Sequence, residues 1–145
     1  MKALLIVGLG LFSVSSFALS AFPDGKWEGK GNFANEAGMK GEYSEKLTIE
    51  KNVLTAELET QGKKATYILR TDFRANDFFS LTIEDKTKGE VTKGSGYCGS
   101  MWCHLEDDSH KFEMTLVFKD KDIYELGSDV EGGKRGRFES ALIQK

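Results

Sequence analysis

The densest chemistry in this 145-residue chain lies in the run Gly94-Ser95-Gly96-Tyr97-Cys98-Gly99-Ser100-Met101-Trp102-Cys103-His104. Cys98 and Cys103 are its only cysteines. A hairpin with a four-residue loop would set Cys98 opposite Cys103, and Tyr97 opposite His104 on the other face. Directly opposed strand residues come close enough for a disulfide. That bridge is the expectation for an exported chain, and it would stabilise by roughly 2 kcal/mol through loop closure. The same residues carry two sharper readings. Cys98-x4-Cys103-His104 is an expanded form of the Cys-x2-Cys-His haem-attachment pattern, and a haem protein is the second alternative function. Cys98, Cys103, His104 and His110 are also zinc-ligand types, but thiols oxidise outside the cytoplasm. No cofactor and no metal is expected.

Other chemistry is sparser. Gly94, Gly96 and Gly99 lack the Gly-Lys-Ser/Thr ending and following helix of a phosphate loop, so they read as positions of strand curvature. Glu106-Asp107-Asp108-Ser109-His110 has no spaced ligand loop and reads as a solvated turn. The chain has two histidines, neither beside a Gly-x-Ser-x-Gly nucleophile, and no catalytic constellation is recognised. Paired carboxylates remain open, because their spatial separation is unreadable from sequence. Glu45 shares its strand face with Tyr43, Leu47 and Ile49. Because Glu is rarely buried unpaired, a rim position in water is expected for it.

The elements that must position these residues are short alternating segments. Ten are expected: Lys26 to Phe33, Gly41 to Ile49, Val53 to Thr60, Ala65 to Thr71, Phe78 to Asp85, Gly89 to Cys98, Met101 to Asp107, Lys111 to Lys119, Asp122 to Gly127, and Arg135 to Ile143. Phe112, Met114, Leu116 and Phe118 alternate with Glu113, Thr115, Val117 and Lys119, giving one dry and one wet face. Connections such as Glu50-Lys51-Asn52, Gln61-Gly62-Lys63, Ala75-Asn76-Asp77 and Glu131-Gly132-Gly133-Lys134 can reverse the chain directly. No stretch after the N-terminal segment has convincing helical periodicity, although Asn35 to Gly38 suits one turn. A meander of this kind hides its apolar faces best by closing, so the expected fold is all-β: an antiparallel up-and-down barrel of eight to ten strands, about ten.

The first twenty residues have a different grammar. Lys2, an apolar run from Ala3 to Phe12 and a Ser-rich stretch with Ala18 and Ser20 form the three parts of a secretory signal peptide. Residues 1–20 are therefore expected to be cleaved, leaving residues 21–145 as one barrel domain, periplasmic or secreted. The apolar run is too short for an anchor, which needs about 20 residues. A formal net charge of −3 offers no general attraction to nucleic acid or anionic membrane. No nucleic-acid partner and no integral membrane span are expected.

The opening Gly25-Lys26-Trp27-Glu28-Gly29-Lys30-Gly31, with its Gly-x-Trp-x-Gly-x-Gly pattern, resembles the first strand of calycin barrels: lipocalins, fatty-acid-binding proteins and nitrobindin-like proteins. The resemblance implies that Trp27 closes one barrel end beneath a basic side chain, Arg137 or Arg135. The His of nitrobindin-like haem sites has no counterpart here, since no histidine follows His110. By analogy with such barrels, the expected function is binding of an apolar or lipophilic small molecule in the interior. Tyr43, Leu47, Tyr67, Phe79, Leu81, Met114 and Phe118 are the lining candidates. The alternative is an envelope-associated protein-binding or inhibitor module, with Met101 and Trp102 anchoring a partner at the disulfide loop.

Overall fold

A computed structural model describes residues 21–74 and 77–145. The expected signal peptide and the Ala75-Asn76 part of one connection lie outside the described residues. Ten strands follow in order: β1 (Gly25–Asn35), β2 (Lys40–Glu50), β3 (Val53–Thr60), β4 (Lys63–Phe73), β5 (Phe78–Asp85), β6 (Glu90–Cys98), β7 (Trp102–Asp107), β8 (Phe112–Lys119), β9 (Asp122–Glu131) and β10 (Lys134–Gln144). Each pairs antiparallel with its sequence neighbour, and β1 pairs with β10, so the sheet is a closed barrel. No helix among the described residues is long and apolar enough to cross a membrane.

Turn chemistry sets the register. Lys51-Asn52, Gln61-Gly62 and Gly132-Gly133 all have both central φ angles positive, between 47° and 76°. That is the mirror-image turn whose twist matches antiparallel strands. It locks Glu50 to Val53, Thr60 to Lys63, and Glu131 to Lys134. β9 runs past the expected end at Gly127, because Ser128 to Glu131 continue to pair with β10. Asn35 caps the β1–β2 turn, its Oδ1 accepting the N–H groups of Ala37 and Met39.

The two barrel ends differ. One end carries the β2–β3, β4–β5, β6–β7 and β8–β9 connections, and it is packed solid. Leu105, Leu116 and Cys103 are 0% exposed there, and Ile49, Leu54, Ile123 and Leu142 are 1% exposed. Phe22, just before β1, plugs this end against Phe73, Phe79 and Phe118, at ring separations of 5.5, 5.7 and 6.2 Å. Its backbone N–H is held by Asn52 Oδ1 at 2.9 Å. Trp27 is buried beside it and donates its indole N–H to the Lys121 carbonyl at 2.8 Å.

Closure at Trp27 therefore differs from the expectation. Arg137 pairs across from Ala34, at the opposite end of β1 from Trp27, and faces solvent. Arg135 lies further still in that direction, donating to Ser128 Oγ at 2.6 Å. The polar partner of Trp27 is instead the Lys121 backbone carbonyl.

At the other end, the inward side chains Ala56, Leu58, Tyr67, Phe112 and Phe138 are only half-buried. The β5–β6 and β9–β10 connections meet across this mouth through Lys88 Nζ and Glu131 Oε1, 2.9 Å apart. Both side chains are largely exposed, so the contact contributes little stability. Asp107 holds the β7–β8 hairpin: it is 4% exposed, and its Oδ1 accepts the N–H groups of Lys111 and Phe112 at 2.8 Å. The segment expected to be a solvated turn is thus anchored by one buried carboxylate, with only its flanks in water.

Candidate functional site

A pair of buried carboxyl groups sits between the packed half and the mouth. Glu45 on β2 and Glu125 on β9 belong to strands separated by β1 and β10. They meet because the intervening inward positions on β1 are Gly29 and Gly31, which project no side chain into the space. A Cβ at Gly31 would lie 2.2 Å from the Tyr43 ring and 2.5 Å from the Glu139 carbonyl oxygen. The tyrosine ring therefore occupies the volume a larger residue would take.

Glu45 is 3% exposed and Glu125 is 4% exposed, which corrects the rim position expected for Glu45. The physical reason is pairing: the two carboxyls lie against one another, and Ser140 Oγ donates to Glu125 Oε2 at 3.0 Å. Burial, then the charge of Glu45, pushes Glu125 well above the usual carboxylate range. Burial likewise raises Glu45, against the opposing hydrogen bonds from Glu125 and Ser140. Two carboxyls in contact inside a barrel cannot both ionise cheaply, so the pair retains a proton. Tyr43 lies over them, donating to the Glu139 carbonyl at 3.3 Å, and burial raises its hydroxyl too.

The candidate lining residues separate by depth. Tyr43 and Met114 are 9% and 8% exposed near the acid pair, and Tyr67 is half-buried toward the mouth. Leu47, Phe79 and Leu81, each 2% exposed, belong to the packed half. Phe118 lies at the plugged end against Phe22. Glu125 carried no sequence signal, because Tyr124 and Leu126 are the more apolar alternate set of β9. The structure turns both outward, at 41% and 55% exposure.

A second feature lies outside the barrel at its plugged end. Cys98 and Cys103 are joined, so neither sulfur is free for thioether attachment or zinc ligation. The bridge points into the core, and Tyr97 pairs with His104 on the outer face. One hydrogen-bonded row continues outward through Phe78, Tyr97, His104, Thr115 and Leu126. Tyr97 contacts Phe78 at 5.9 Å, Trp102 at 5.5 Å and His104 at 5.6 Å between ring centroids. Trp102 folds back over Gly99, where a Cβ would lie 2.4 Å from its indole nitrogen, and Met101 is 53% exposed. Farther round the outer wall is an open groove of about 640 Å³, lined by Asn32, Glu42, Leu126, Arg137 and Glu139 among others.

A disulfide is in keeping with an oxidising compartment outside the cytoplasm. Among the described residues, no group of three or more metal-binding side chains is assembled. The chain is a closed ten-strand antiparallel barrel, compatible with a calycin-like fold. Comparison with known proteins finds no matching family model and no matching curated protein.

Proposed function

We propose that this protein is an exported barrel that takes an apolar small molecule through its open end. The observation supporting this reading is the asymmetry of packing. One half is dry and plugged by Phe22, whereas Ala56, Leu58, Tyr67, Phe112 and Phe138 turn apolar surface toward a mouth that leaves them half-buried. An apolar molecule entering there would cover that surface and gain roughly 25 cal/mol per Å² removed from water. Tyr43, Tyr67 and Met114 would contact it, while Leu47, Phe79 and Leu81 would form the unyielding layer below. Native mass spectrometry of protein from its own exported compartment, with titration by an apolar fluorescent probe, tests the reading. A copurified small molecule, and probe binding weakened by Leu58→Arg, are expected. A bare polypeptide mass together with no probe binding would refute it.

One observation favours a second reading, a protein-binding or inhibitor module. Phe78, Tyr97, Met101 and Trp102 expose 58%, 42%, 53% and 38% of their surface beside the disulfide loop. Rigid aromatic anchors of this kind dominate protein interfaces. Loss of partner capture on Trp102→Ala, with the fold intact, would favour this reading over the carrier.

A further inference from the structure

The acid pair has a feature that packing alone leaves unexplained. Glu45 Oε2 is buried and has no hydrogen-bond partner, although its residue is 97% withdrawn from solvent. An acceptor oxygen left unpaired in a low-dielectric interior is costly, and native structures usually fill such positions. The groups acting on the two carboxyls are one another and Ser140, and none is a lysine, arginine or histidine. A pair keeping one proton still carries a negative charge, and among the described residues no cation acts on it. Tyr43, Met114 and Ser140, at 9%, 8% and 7% exposure, are looser than the layer beneath. The long 3.3 Å hydrogen bond of Tyr43 is the weakest restraint over the pair.

We propose that Glu45 and Glu125 are the head-group end of the binding site, and that the ligand is an apolar body bearing a primary ammonium group. An ammonium has three donors and a positive charge, and no acceptor. One donor would meet Glu45 Oε2 and another the Glu125 carboxyl, while the apolar body lies toward Tyr67, Leu58 and Phe138. A carboxylate head would add a second negative charge beside the one the pair already carries. A hydroxyl head could satisfy the unpaired oxygen but not the charge. The inference rests on the reading of the barrel as an apolar-ligand binder.

The experiment is titration calorimetry of the mature protein with octylammonium, octanol and octanoate at neutral pH. Octylammonium is expected to bind at least about tenfold tighter than octanol, since hydrogen bonds to charged groups exceed neutral ones. Octanoate is expected to bind weakest. In the double variant Glu45→Gln with Glu125→Gln, which removes the charge altogether, the ratio of octylammonium to octanol affinity should fall toward one. Equal affinity for octanol and octylammonium, a preference for octanoate, or an ammonium preference that survives both substitutions overturns the head-group assignment while leaving the carrier reading intact. Binding of none of the three overturns both. If a variant fails to fold, the ranking of the three probes on the unaltered protein decides alone.

Discussion

Replacing Glu125 with Gln is the most direct probe of the buried pair, because it removes one titrating proton and keeps the shape and a donor for Glu45. Burial, then the charge of Glu45, raises the Glu125 pKa from its ordinary 4.5, so the folded chain keeps a proton that the unfolded chain gives up. The stability this contributes is complete below about pH 4.5 and is lost as pH rises through the raised value. One retained proton corresponds to a slope of about 1.4 kcal/mol per pH unit across that interval. Glu45 and Asp129, themselves raised, add their own slopes in both proteins, whereas the lowered Asp107 titrates below this range. The variant profile should therefore be shallower than that of the unaltered protein by up to one proton's slope between the ordinary and the raised value. Urea unfolding at constant ionic strength from about pH 5 to about pH 8 measures both profiles. Parallel profiles would show that Glu125 ionises as readily folded as unfolded, and the account of the pair would fail.

Three further outcomes follow from the packing. Gly96→Ala would place a Cβ 2.2 Å from the Phe79 ring and 2.4 Å from the His104 carbonyl oxygen, and should cost roughly 3 kcal/mol in urea unfolding, partly recovered by a second change, Phe79→Leu. Phe22→Ala should open the plugged end and lower stability by about 3 kcal/mol, with increased binding of an apolar dye as the accompanying signal. Cys98→Ala with Cys103→Ala should cost about 2 kcal/mol, the loop-closure value for so short a span, with the circular-dichroism spectrum preserved.

Much of the fold was legible because β-strand parity is a strong constraint. The pairing of Cys98 with Cys103, and hence of Tyr97 with His104, needed only a count of residues across a tight loop. Met114 and Leu116 reach the core, as their alternation with Glu113 and Thr115 implies. The acid pair was less visible. Parity placed Glu45 inward, but the general cost of burying a carboxylate argued for water, and its partner is remote in sequence. On β9 the local pattern misleads, because Tyr124 and Leu126 outrank Glu125 and Gly127 in apolarity yet face solvent. The plug was also hidden: Phe22 precedes the first strand, and nothing in its neighbours reveals that it turns into the barrel. Arg137 illustrates the limit of motif transfer, since a resemblance in β1 cannot fix which face of β10 meets it.

The seam between β1 and β10 has a consequence for how the chain must assemble. It joins Glu28 to Ile143, the first ladder to the last, so no nascent fragment lacking β10 can complete the ring. Until that strand arrives, β1 and β9 each present a free row of amide and carbonyl groups, the kind of edge on which chains stack. Ring closure also carries the largest loop entropy in the molecule and so should come late and slowly. A chain released before β10 is made would thus be an aggregation-prone open sheet rather than a slightly weakened barrel.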